Sequence, residues 1–175
     1  MKLPFTREQF FEVFAAYNNA VWPAQLMLSV LAIAMLAMVL RAPKRAGRFV
    51  SFSLAFLWAW LGLAYHLAFF WAVNLAAPVF AAISLAASVA FFWIGGLKHR
   101  LQFAPGMPAQ AVLGLIIAIF ALVGYPTIGL FIGHRYPAAP TFGLPCPTAI
   151  FTFGMLLMAS ASLPKVLVVG PLLWA

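Results

Sequence analysis

Acidic side chains are nearly missing: the chain has two, Glu8 and Glu12, and no Asp. Only 7% of its 175 residues are charged and 66% are hydrophobic, whereas soluble domains carry about 25% charged residues, so there is too little polar surface to cover a water-soluble body. With no carboxylate along its apolar runs, the chain has no paired-carboxylate chemistry and no carboxylate proton relay inside a membrane. A single cysteine, Cys146, excludes an internal disulfide. GxSxG, a phosphate loop, HExxH and CxxC are also absent, which leaves nucleophilic, nucleotide and spacing-defined metal chemistry without a motif. No internal repeat supports an inverted-repeat transporter.

What the chain does have is long apolar runs. Crossing the hydrocarbon core takes about 20 apolar residues in a helix, and runs at 21–40, 49–73, 78–97, 109–132 and 148–163 meet or approach that length. A sixth, 166–175, is too short, which suggests a C-terminal continuation. The expected fold class is all-α: one polytopic transmembrane helical bundle over residues 1–175, with five full spans and a truncated sixth.

The ten Lys and Arg, which give a net charge of +8, fall in short loops instead of forming a stripe, so they read as topology signals and not as a nucleic-acid surface. Arg41, Lys44, Arg45 and Arg48, then Lys98 and Arg100, then Lys165 mark three cytoplasmic loops. The loops near Asn74 and His134 then face outward, with the N-terminus outside. Residues 1–19 lack the basic-then-apolar layout of a signal peptide. Thr6-Arg7-Glu8-Gln9 is a capping-box pattern, and Phe10, Val13, Phe14 and Tyr17 would share one face of a helix started there. This predicts an amphipathic helix over 6–19 lying on the outer surface.

On this topology the unusual polar residues gather at the outward end. The candidate ligand-binding set is His66, Asn74, His134, Arg135, Thr141, Cys146 and Thr148; no residue qualifies as catalytic. An imidazole inside a span is costly. His66 is either a neutral histidine bonded to a neighbouring helix, or a ligand to a metal or tetrapyrrole, with Gly62 one turn earlier leaving room for a planar group. In Pro145-Cys146-Pro147 two N–H donors are missing. Either the helix breaks at membrane depth, or the prolines simply start it. His66, His134 and Cys146 together offer imidazole and thiolate to a soft metal ion such as Cu(I), Zn or Hg.

The segments PFTREQF through NNAVWPAQ, YHLAFF with Asn74, and GHRYPAAPTFGLPCPTAIFTFG resemble an uncharacterised bacterial family of small multi-pass membrane proteins, filed as a domain of unknown function. The resemblance implies a membrane fold in a bacterial inner membrane and carries no activity. Two functions are expected from the residues: binding or transport of a small solute or soft metal ion in the outward polar site, or a non-catalytic accessory role in a larger respiratory or photosynthetic membrane complex. In the latter, Phe56, Trp58, Trp60, Phe91, Phe92 and Trp93 would contact pigment, lipid or protein. Membrane lipids, a larger complex or a homo-oligomer are the partners either role implies.

Overall fold

The computed structural model describes residues 4–41, 44–131, 133–160 and 162–175, and among these every regular element is helical. In chain order the helices are α1 (Arg7–Ala20), α2 (Ala24–Arg41), α3 (Ala46–Ala72), α4 (Ala77–Leu97), α5 (Ala109–Phe131), α6 (Pro145–Leu157) and α7 (Lys165–Trp174). Helices α2 to α5, of 18, 27, 21 and 23 residues, are long and apolar enough to cross a membrane. Their exposed faces carry Met27, Val30 and Ile33 on α2, Leu63 on α3, Val89 on α4, and Ile116 and Val123 on α5. A continuous apolar exterior of this kind suits hydrocarbon and not water.

The fifth run differs from expectation. Its helix occupies Pro145–Leu157 instead of 148–163, and its 13 residues rise about 20 Å, short of the roughly 30 Å of a hydrocarbon core. Pro145 and Pro147 stand at the first and third helical positions after Leu144, where a missing N–H costs nothing. The reading in which the prolines start the helix is therefore the one observed. The chain on either side of it is not helical. Phe142 and Leu144 are buried before α6, and beyond it the Ser160 N–H donates to the Gln102 carbonyl (2.9 Å) between α4 and α5. Ile132, the expected end of span four, and Ala161 within span five lie outside the described residues.

Local sequence explains the irregular turns. Wide i→i+5 turns occur at Leu61–Leu67, Phe91–Leu97 and Phe120–Gly124. Pro126 follows the last of these, and its ring pushes back the preceding turn. Gly154 allows the closest helix contact: a Cβ there would stand 2.7 Å from the Gly114 carbonyl oxygen, so α5 and α6 meet backbone to backbone. Mid-bundle, Leu54, Trp58, Phe91, Phe151 and Met155 are fully buried.

Helix α1 closes one end of this bundle. Its capping box forms as expected: Gln9 N–H donates to Thr6 Oγ1 (3.2 Å) and Thr6 N–H to Gln9 Oε1 (2.8 Å). The apolar face packs against the bundle. Phe14 and Tyr17 pack 6.1 and 5.6 Å from the Tyr65 ring, and Phe10 lies 6.2 Å from Phe70, so α1 packs on the Tyr65–Phe70 part of α3.

Candidate functional site

The polar residues near α1 divide into a structural clasp and a cavity wall. Asn18, fully buried, is the centre of the clasp. Its Nδ2 donates to the Pro137 and Ala139 carbonyls (2.6 and 2.9 Å), and its Oδ1 accepts from Thr141 Oγ1 (2.6 Å). The Asn18 carbonyl accepts from Gln25 Nε2 (2.7 Å) and Tyr136 Oη (3.3 Å). This one side chain uses both its N–H donors and its oxygen to hold the α5–α6 loop against α1. Thr141, expected to bind ligand, is thereby engaged. Tyr17 joins the same layer by accepting from Trp60 Nε1 (2.7 Å) and donating to the Gly143 carbonyl (3.4 Å).

Below the clasp lies a cavity of about 550 Å³ between α1, α3, α4, the start of α6 and the end of α7. Its wall is aromatic: Phe5, Phe10, Phe14, Tyr65, Phe70, Phe80 and Trp174, with His66, Asn74 and Cys146 as the polar contributions. His66 is 1% exposed and sits in the wide turn of α3. Its Nε2 accepts from Trp174 Nε1 (2.8 Å). Since indole only donates, the proton of a neutral His66 must be on Nδ1. That buried Nδ1–H has no acceptor among the described residues. Asn74 uses its Oδ1 to accept from the Ala76 N–H (3.0 Å), fixing the turn into α4.

A second cavity, about 320 Å³, lies on the other side of Phe10 and Phe14 and is lined by Phe11, Phe120, Tyr125, His134 and Cys146. His134 is half-buried against Phe11, ring centroids 3.8 Å apart. Cys146, half-buried, borders both cavities. Arg135 is exposed and borders neither. Thr148 is buried with its hydroxyl unpartnered, also off both walls.

Two expectations are corrected by this geometry. His66 and His134 belong to different cavities, and among the described residues no three His, Cys, Asp or Glu side chains come close enough to hold a metal ion. The space over Gly62 is filled, because a Cβ there would meet Leu85 Cγ at 3.1 Å and the Ala81 carbonyl at 3.2 Å. Gly62 thus serves the α3–α4 contact, and His66 Nε2 is bonded to Trp174. Sequence reasoning missed Trp174, which stands in a short apolar run, and the aromatic wall, since phenylalanines in apolar runs carry no signal of which cavity they line.

No curated protein and no solved structure matches this chain. A family model described as a family of unknown function, DUF6064, matches residues 7–175, which takes in α1, the clasp and the cavity walls apart from Pro4 and Phe5, and the chain belongs to that family.

Proposed function

We propose that this protein is a membrane-embedded binding protein for a small, largely apolar molecule that carries a hydrogen-bond acceptor, seated in the cavity beside His66. One observation carries the reading: a buried imidazole N–H without an acceptor, at a cavity otherwise lined by aromatic rings. Leaving such a donor unpaired costs roughly 1–3 kcal/mol, and an acceptor on a bound molecule removes that cost. Ligand pockets characteristically combine an apolar wall with a few placed polar groups, within about 300–1,000 Å³. A soft metal ion fits less well, because Trp174 occupies His66 Nε2 and the second imidazole faces elsewhere.

Binding is favoured over passage. Between this cavity and the far end of the bundle stand Leu54, Trp58, Phe91 and Met155, all fully buried. Trp58 is further tied to Thr152 by a 3.1 Å hydrogen bond. In this reading the chain crosses a bacterial plasma membrane five times, with α1 and the cavity outside.

The test is extraction. Protein purified from its native membrane in mild detergent is extracted with organic solvent and the extract analysed by mass spectrometry, beside His66→Leu and Cys146→Leu variants. A stoichiometric, ring-bearing or isoprenoid molecule that is lost in both variants is expected. Extracts that hold only bulk lipid, identical in all three, together with a copurifying protein complex, would overturn the reading in favour of an accessory subunit.

A further inference from the structure

We propose that the end of the bundle opposite α1 holds a binding site for a phosphate group, in a groove between the α2–α3 turn and the α4–α5 loop. The groove, about 550 Å³, is lined by Lys44, Arg48, His99, Gln102 and Ser160, with Gly47 at its floor. Lys44, in the turn before α3, and Arg48, in its first turn, both line this groove. The Arg48 guanidinium stands 6.0 Å from the Phe52 ring, an arrangement that holds its planar fork in place.

The opposite wall is a built loop. Gln102 Nε2 donates to the His99 carbonyl (3.2 Å), and the Gln102 carbonyl accepts from both the Ser160 N–H (2.9 Å) and its hydroxyl (3.2 Å). His99 is held at φ +54°, uncommon for a residue other than glycine. A Cβ on Gly47 would collide with the Leu101 carbonyl, so the loop rests directly on the α3 backbone.

Charge supplies the second argument. The chain's only acidic side chains, Glu8 and Glu12, are on α1 at the other end. Lys44, Arg45, Arg48, Lys98 and Arg100 therefore have no side-chain carboxylate within reach, and their counter-charge must come from outside the chain. The positive-inside preference accounts for cations anywhere in these loops. It does not account for two of them facing a shaped concavity with a fixed polar wall. A guanidinium and an ammonium on one groove suit a tetrahedral oxyanion. That oxyanion has two sources, the headgroup of a phospholipid packed at the bundle rim or a soluble phosphate.

The measurement is the thermal unfolding midpoint and calorimetric titration of the whole protein in uncharged detergent, with inorganic phosphate and with short-chain phosphatidylglycerol as separate probes. Lys44→Gln/Arg48→Gln is compared with Arg41→Gln/Lys165→Gln, which has the same net charge but leaves the groove intact. Both groove side chains are exposed, so their replacement leaves the buried core unchanged. Saturable binding that weakens about tenfold or more in the groove variant only, a loss of at least roughly 1.4 kcal/mol, is the expected result. Arg48→Lys, which keeps charge but not the fork, should fall between. Binding of phosphatidylglycerol alone identifies a headgroup site, and equal binding of phosphate identifies a soluble ligand. Equal affinity in the two double variants, or no binding of either probe, overturns the proposal.

Discussion

Asn18 shows how a polar residue near a site can be structural. Asn18→Ala strands the Pro137 and Ala139 carbonyls and the Thr141 hydroxyl in a buried layer. At roughly 1–3 kcal/mol per stranded group, discounted because loops relax, a loss of about 2–4 kcal/mol is expected, read as a lower unfolding midpoint in detergent. Tyr17 gives a pH signature at the same layer. Burial pushes its hydroxyl up to about 12 from the ordinary 10, against a smaller downward pull from the Trp60 hydrogen bond. The unfolded chain thus loses this proton first, so stability is flat below pH 10 and falls as pH rises from about 10 to 12. Tyr17→Phe should lessen that alkaline slope in a pH series of unfolding midpoints, and an unchanged slope would place the buried phenol elsewhere. At this scale the sequence was only partly legible. It singled out His66, Cys146 and Asn74, which do share a cavity, because costly polar groups stand out in apolar runs. It could not separate Thr141, which serves the clasp, from a ligand contact, since the distinction rests on a partner 123 residues away.

Among the elements, α1 was legible from its capping box and its apolar face, and its placement was not. Periodicity identifies a face that needs covering without saying whether lipid or protein covers it. The start of α6 was ambiguous for a related reason: two prolines fit both a break and a helix beginning, and only the hydrogen bond from the Thr148 N–H to the Leu144 carbonyl (3.1 Å) decides between them. The short α6 has its own dependence on glycine. In Gly154→Ala the new methyl would meet the Gly114 carbonyl at 2.7 Å and the Ala118 N at 2.8 Å. Backbone atoms cannot rotate away, so α5 and α6 must separate, at about 1–3 kcal/mol for overpacking. Gly129→Ala is the comparison, since its added methyl makes only an ordinary 3.4 Å contact with Pro140. A lower unfolding midpoint for Gly154→Ala with Gly129→Ala near wild type is expected. Equal effects would mean that helix propensity dominates over the contact.

Over the whole molecule, hydropathy made the four long spans legible because hydrocarbon solvates every face of a helix alike, so total apolar length is enough. The short α6 between buried loop segments was not legible, since the composition of those segments resembles any other apolar stretch. Charge distribution adds what hydropathy cannot. Seven of the ten Lys and Arg, namely Arg41, Lys44, Arg45, Arg48, Lys98, Arg100 and Lys165, follow or precede the helix ends remote from α1, whereas both acids are on α1. Lys and Arg in short loops bias those loops toward the cytoplasm, and Asp and Glu contribute little. The α1 end, with the His66 cavity beneath it, should therefore face the cell exterior. In a Cys146→Ser background, which removes the only native thiol, Arg135→Cys and Lys98→Cys place single thiols at exposed positions at the two ends. A membrane-impermeant maleimide added to intact cells should label Arg135→Cys and leave Lys98→Cys unlabelled until the cells are lysed. The reverse pattern would put the cavity on the cytoplasmic side, so that its ligand would have to come from inside the cell.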